Sequence, residues 1–328
     1  MSAGASHLSR RSFIAMTAAA TIARPALAAA AQPLTISVVF GNSIHWVIFA
    51  AVEKGMFKDE GFEPSVQPLQ SSAHSVQMAL SGDFQLATSQ PETFVAAVEQ
   101  GAADLAAMTA PMNRSDWVLV GARNVTSLAQ LKGMAIGLSG LRNSEGWLTD
   151  RLLASQGLKK GDYRLTIAGT SPAKVAALEK GGIGAAVLFQ PSAEFAIKQG
   201  LPVLARFDTM RAYPTIFYIV KKSWAGTDQS GVRASRALQK SYAWLWDPAN
   251  RAEAIQILAK YTKREPALLE SVYDDYFIKA KLYSRDGKVD LAGFTAVLTD
   301  MAEDGAVFKT APSPAKFMLA PELGGLSA

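Results

Sequence analysis

From residue 34 onward, short apolar runs rich in β-branched residues alternate with stretches in which apolar residues recur every three or four positions. The first pattern predicts strands and the second predicts helices buried on one face. Residues 34–40 read as a strand. Residues 45–58 read as a helix with Val47, Ile48, Ala51, Val52 and Met56 on one face, and Gly55 and Gly61 bracket its end. Residues 64–69 alternate as a second strand, 72–80 as a second helix, and 84–88 as a short strand. Pro91 opens a further helix at its first turn, where a missing N–H costs nothing. Strands follow at residues 104–109 and 116–120.

A polar linker covers residues 123–132, and the pattern then repeats. Strands at 134–138, 163–168, 183–189 and 203–207 alternate with helices at 142–156, at 172–180 and from Pro191. A strand at 214–220 follows, and residues 230–305 are mostly helical. Strands alternating with helices predict an α/β fold with mostly parallel sheets flanked by helices. Two runs, each short for one large sheet, predict two lobes. Breaks near residues 120–126 and 210–214 are where the chain would cross between them.

The N-terminus stands apart from this pattern. Ser9-Arg10-Arg11-Ser12-Phe13-Ile14 opens an apolar run that ends near Ala23, followed by Arg24, Pro25 and Ala26-Leu27-Ala28. This resembles a twin-arginine export signal with an A-x-A cleavage site near residues 28–31. The run is shorter than the roughly 18 to 20 apolar residues that span a bilayer. No later stretch of sequence is long and apolar enough to do so. Residues 1–31 are therefore expected to be a leader, and the rest a soluble exported protein.

Composition narrows the chemistry. The chain has no cysteine, which excludes thiol catalysis, Cys-ligated zinc, disulfides and a lipid-bearing Cys after the leader. Of the net charge of +5, three positive charges lie in the leader at Arg10, Arg11 and Arg24, which leaves +2. That is no case for nucleic-acid binding. His45 and His74 have no H-E-x-x-H or other metal spacing, so no metal or cofactor is expected. Two S-x-x-K matches, Ser171 with Lys174 and Ser313 with Lys316, lack the accompanying elements of penicillin-recognising enzymes. Asp274-Asp275 reads as a solvated helix face, and Tyr242, Trp244 and Trp246 read as core or outer surface.

Four stretches carry a resemblance. They are Glu53-Lys54-Gly55-Met56-Phe57-Lys58-Asp59-Glu60-Gly61 within residues 50–62, Leu80-Ser81-Gly82-Asp83 within 79–87, Leu131-Lys132-Gly133 within 128–137, and Gly181-Gly182-Ile183-Gly184 within 180–186. Together they resemble the periplasmic substrate-binding proteins of ABC importers. The likeness is to the group that captures nitrate, sulfonates such as taurine, and thiamine-pyrimidine precursors. It covers residues 34–261 and implies the two-lobed type II periplasmic-binding-protein fold, closing on ligand by a hinge. Lobe one is expected over residues 32–121 and 214–328, and lobe two over 122–213. The resemblance implies a small-molecule ligand, the transmembrane subunits of an ABC permease as partner, a periplasmic monomer, and no enzymatic activity.

In open parallel sheets, ligands bind beyond the carboxyl ends of the strands, where helix N-termini offer free N–H groups suited to anions. The residues at these ends are the expected ligand contacts. After the first strand they are Asn42, Ser43, His45 and Trp46, with Trp46 as an aromatic wall. After the second they are Gln70 and Ser71, and after the third Ser89 and Gln90. Arg114 sits at the first crossing. Ser139, Arg142 and Asn143 open the second lobe's first helix, with Arg142 as a fork for a carboxylate or sulfonate. Thr170, Gln190 and Tyr213 complete the set. The expected ligand is a small organic anion with an apolar or aromatic body. The alternatives are a neutral pyrimidine-like ligand, or a pyrimidine-synthesis enzyme or sensor on the same fold. The enzymes of that kind carry a cysteine-rich motif that this chain lacks.

Overall fold

The computed structural model describes residue 1 and residues 31–39, 41–69 and 71–327. The leader reading and Gln70 lie outside the described residues. Residues 31–328 pack as one compact unit. The first half of lobe one contains β1 (Gln32–Val38), α1 (Trp46–Glu53), α2 (Met56–Asp59), β2 (Phe62–Pro68), α3 (Ser72–Ser81), β3 (Ala87–Ser89), α4 (Pro91–Glu99) and β4 (Leu105–Thr109). The chain then crosses over. It builds β5 (Val118–Gly121), β6 (Ala135–Leu138), α5 (Ser144–Ser155), β7 (Arg164–Ile167), α6 (Ser171–Glu179), β8 (Ala185–Leu188), α7 (Ser192–Lys198) and β9 (Val203–Arg206). After a second crossing come β10 (Phe217–Lys221), α8 (Lys222–Gly226), α9 (Ser230–Trp246), α10 (Arg251–Thr262), α11 (Pro266–Tyr273) and α12 (Leu291–Asp304). A π-helical stretch, Asp274–Lys279, continues α11.

The second lobe's sheet has the order β7-β6-β8-β5-β9. β6 runs parallel to β7 and β8, whereas β5 runs antiparallel to β8 and β9. In the first lobe β1 and β2 pair in parallel from Gln32–Phe62 to Val38–Pro68, and a bridge from Ile36 to Leu86 leads on to β3. β10 lies antiparallel between β3 and β4. The antiparallel strands are thus those that follow directly on a crossing. With no helix to carry the chain back, each enters its new sheet from the opposite end. This corrects one boundary. Residues 118–121 were assigned by sequence to lobe one, yet β5 is hydrogen-bonded within the second sheet. The strand expected at 214–220 begins at Phe217.

Local sequence explains the helix starts that matter for function. Ser71 caps α3 by accepting the His74 N–H, and Asn143 caps α5 by accepting from Gly146. The helix expected from residue 142 therefore starts at Ser144, and Arg142 precedes the cap. A Cβ at Gly146 would stand 2.1 Å from the Leu141 carbonyl oxygen, so only glycine lets the 139–143 turn close on the helix. Gly146→Ala is expected to lose about 2 kcal/mol in urea unfolding, because the contact is with backbone and cannot relax by a rotamer change.

Candidate functional site

The strand-end turns of the two lobes meet face to face. The Ser43 N–H donates to the Gln190 carbonyl at 3.2 Å. The Ser43 hydroxyl pairs with the Tyr276 hydroxyl at 2.7 Å, and Tyr276 donates to Asp116 Oδ2 at 2.5 Å. The Gln190 N–H also reaches that carboxylate, at 3.4 Å. On the other side of the seam, Glu92 in the first turn of α4 reaches across to the start of α5. It accepts the Ser144 N–H at 2.8 Å and the Ser144 hydroxyl at 2.9 Å. Within lobe two, Glu145 accepts the Ser139 N–H at 2.9 Å and holds Lys174 Nζ at 2.7 Å, with neither side chain exposed. Lys174 also donates to the Ser139 hydroxyl at 3.1 Å and lies over the Phe189 ring.

Burial sets the electrostatics. It pushes the Asp116 carboxyl up to about 6, against the Tyr276 and Gln190 donors that favour its charged form. It also raises Glu92 above the usual carboxylate range, opposed by the Ser144 donors. Lys174 is pulled down by burial, and Glu145 counters that. A buried pair of this kind is costly to break from one side, because the remaining charge has no water to turn to. Burial likewise raises the Tyr213 hydroxyl, with the Asp300 and Glu92 charges adding to it.

Of the expected contacts, Ser43 and Gln190 meet across the seam. Asn42 is half-buried and turned back on the Ile44 N–H, and Ser71 is an exposed cap. Ser89 is buried, with its hydroxyl on the Gln90 carbonyl, and the Gln90 N–H donates to Ser72. Ser139 and Thr170 are exposed hydroxyls, and Thr170 makes no capping bond at the start of α6. Gln190 is buried, its Oε1 accepting the Glu194 N–H. Arg114 is exposed on the first crossing.

Four expectations need correction. Trp46 is not a cleft wall: its indole is fully buried, donates to the Ala254 carbonyl at 2.9 Å and packs edge-on against Tyr273 and Phe277. His45 is fully buried between Phe49 and Tyr218, with Nδ1 2.7 Å from the Tyr218 hydroxyl. The chain is already buried from Ser43 on, so α1 begins inside the core rather than at the surface. Tyr213 is wholly buried at the second crossing. Arg142, 66% exposed, is paired with Asp304 of α12 at 2.6 Å instead of facing the seam.

The sequence reading missed Glu92, Asp116, Glu145 and Lys174. Pro91-Glu92 and Ser144-Glu145 do carry the mark of acidic first turns, but that pattern usually reports only a favourable helix dipole. The S-x-x-K match is settled by contacts. The Ser171 hydroxyl accepts the Phe189 N–H while Lys174 is committed to Glu145 and Ser139. Asp274 and Asp275 are not a bare solvated face, since they pair with Arg251 and Arg206.

A cavity of about 690 Å³ flanks the seam, lined by Ala73, Val76, Gln77, Leu80, Glu92, Thr93, Ala97, Gln100, Arg142, Trp147, Met301, Asp304 and Val307 among others. It runs along α3 and α4 from their first turns to their last, with Arg142, Trp147, Met301 and Asp304 on its other wall. Among the described residues no cluster of three or more His, Asp or Glu is placed to hold a metal ion, and no helix is long and apolar enough to cross a membrane.

The bridged strands β1-β2 and β3-β10-β4, joined by two crossings to the five-stranded sheet, define the two-lobed periplasmic-binding-protein fold. The chain belongs to the family described as NMT1/THI5 like, whose model matches residues 42–252. No curated protein matches the chain at a significant level. Among solved structures it is similar to the periplasmic aliphatic sulphonate binding protein SsuA from Escherichia coli. The identity there is 19% and the TM-score 0.70, covering 89% of this chain and 99% of that one. It is also similar to the ligand binding component of an ABC-type import system from Staphylococcus aureus, with 15% identity, TM-score 0.72, and 89% and 98% coverage. The periplasmic nitrate-binding protein NrtA from Synechocystis matches at 13% identity and TM-score 0.71, with 87% and 84% coverage. At these identities the likeness is one of fold.

His45 gives a pH test of the buried first turn. Burial holds its ring at about 3, down from 6.5. Below pH 6.5 the unfolded chain takes up a proton that the folded chain refuses, so stability falls by about 1.4 kcal/mol per pH unit towards 3. Asp116 acts the other way: the folded chain holds its proton from pH 6 down to 3.8, so stability is gained as pH falls through that window. Comparing wild type with His45→Phe isolates the histidine. The variant is expected to be about 1 kcal/mol less stable at pH 7, where Tyr218 loses its partner. That deficit should vanish by pH 5 in calorimetric melts.

Proposed function

We propose that this protein is the periplasmic solute-binding component of an ABC importer. It captures a small organic anion, sulfonate- or carboxylate-like, between its lobes and delivers it to the transmembrane subunits of a permease. The observation that carries this reading is the meeting of strand-end turns from two separate sheets, at Ser43 with Gln190 and at Glu92 with Ser144. The crossings at either side of β5 and β10 let those faces part and close. Closure is driven by contacts that the ligand makes only in the closed state. The protein works as an exported monomer without a cofactor, and residues 1–31 are its twin-arginine leader. It binds and releases, and makes no covalent change. The names of the sulphonate- and nitrate-binding structures it is similar to support the anion class.

The contacts proposed for the ligand are hydroxyls and amides. Ser139 and Thr170 present exposed hydroxyls beside the uncapped start of α6. Asn42, Ser71 and Gln90 stand on the opposite lobe. With Arg142 committed to Asp304, the cationic part falls to Arg114 at the first crossing. A neutral pyrimidine-like ligand is the second reading. The carboxylates Asp116 and Glu92 at the seam favour it, and a pyrimidine synthase is not supported because the chain has no cysteine.

The test is a thermal-shift screen against sulfonates, carboxylates, nitrate and pyrimidines, since a ligand that binds only the folded state raises the melting temperature. An anion is expected to score. Its affinity is expected to fall about tenfold in Thr170→Ala and in Ser139→Ala, each losing one hydrogen bond to a charged group. Arg142→Ala is expected to bind as wild type does. A hit confined to pyrimidines would replace the anion by the neutral ligand, and no hit at all would remove solute capture.

A further inference from the structure

Three carboxylates at the seam share one geometry. Glu145 accepts the N–H of Ser139 at the end of β6. Asp116 accepts the N–H of Gln190 just past β8. Glu92 accepts the N–H of Ser144, the first residue of α5. The turns of lobe two would otherwise present these donors to a ligand anion. All three acids are buried. Glu145 is neutralised by Lys174 within lobe two, and Asp116 is held by the Tyr276 hydroxyl. Glu92 differs. It comes from the other lobe, and the side-chain contacts at its carboxylate are the Ser144 N–H and hydroxyl, with no cation among them.

The start of α5 therefore already holds a carboxylate. Of its other first-turn donors, the Gly146 N–H is spent on the Asn143 side chain. Arg142, the cation nearest in sequence, is turned onto Asp304. A ligand with one acidic group can use the uncapped start of α6. A second acidic group would have to approach α5, where it meets a carboxylate instead of a donor. Like charges forced together in a desolvated contact are among the strongest means of rejecting a wrong ligand.

We infer that Glu92 is a specificity-determining residue that limits the bound solute to a single negative charge, by seating the protein's own carboxylate at the start of α5. The inference rests on the reading of the seam as a solute site. It adds the charge count, which neither the fold nor the likeness to other binding proteins supplies.

The experiment is isothermal titration calorimetry of the purified full-length chain with 1-propanesulfonate and 1,2-ethanedisulfonate, which are similar in length and differ in one charge. Wild type is expected to bind the monosulfonate and to bind the disulfonate about 100-fold more weakly. Glu92→Gln keeps the shape and one acceptor for Ser144, and its discrimination is expected to collapse to within about threefold. Glu92→Asp keeps the charge and is expected to keep the discrimination, which a merely structural role would not predict. Equal affinity of wild type for both probes overturns the inference, as does undiminished discrimination in Glu92→Gln. If wild type binds neither probe, the anion reading fails on its own. Glu92 is then judged by the Gln variant: new binding of the disulfonate supports its role, and no binding overturns it. Thermal melts of each variant establish that it is folded, and the wild-type ratio decides the matter if Glu92→Gln is not.

Discussion

Bringing two strand-end faces together removes backbone N–H groups from water, and each must find an acceptor or cost about 1 to 3 kcal/mol. That constraint governs the seam of this protein. Sheet strands end, helices begin, and the first N–H groups of each helix have no partner within the helix. The chain meets the demand with carboxylates. Glu145, Asp116 and Glu92 each sit where a turn of lobe two would expose a donor. Each acid then needs its own relief. One finds an ammonium, one finds a phenol, and one relies on two donors from a single serine.

The relief differs in what it fixes. The Lys174–Glu145 pair lies within lobe two and ties the turn at Ser139 to α6, so it keeps that turn in place whether the lobes are together or apart. The Glu92–Ser144 contact and the Ser43–Gln190 contact exist only while the lobes touch. The first kind of contact pre-organises a binding face. If the protein captures a solute as proposed, the second kind would bias the balance between open and closed forms, which a ligand can shift only by its own preference for the closed one.

The alternation of strands and helices was legible in the sequence because short apolar runs and helical periodicity differ clearly, from β1 and α1 through to β9. The strand-to-sheet assignment was less so. The residues of β5 look like any other buried strand, and only pairing with β8 and β9 places them in the second lobe. The rule that sites lie past strand ends picked out Ser139, Thr170, Gln90 and Gln190, and of these Gln190 is bonded to a residue of the other lobe. Trp46 and His45 obeyed the same rule in sequence and broke it in space. An indole gains more by packing on Tyr273 and Phe277 than by facing water. The buried acids were illegible because a first-turn glutamate looks the same whether it faces solvent or another lobe.

The cavity beside α3 and α4 has a volume of about 690 Å³, yet the helix dipole argues against it as the seat of an anion. Both helices point their N-termini towards the strand ends and their C-termini towards the far end of the groove, at Leu80 and Gln100. Partial positive charge therefore gathers at Ser71 and Gln90, while carbonyl groups and partial negative charge gather at the far end. Arg142 stands on the groove, but its charge is matched there by Asp304. An acidic group placed in the groove would meet no unbalanced donor.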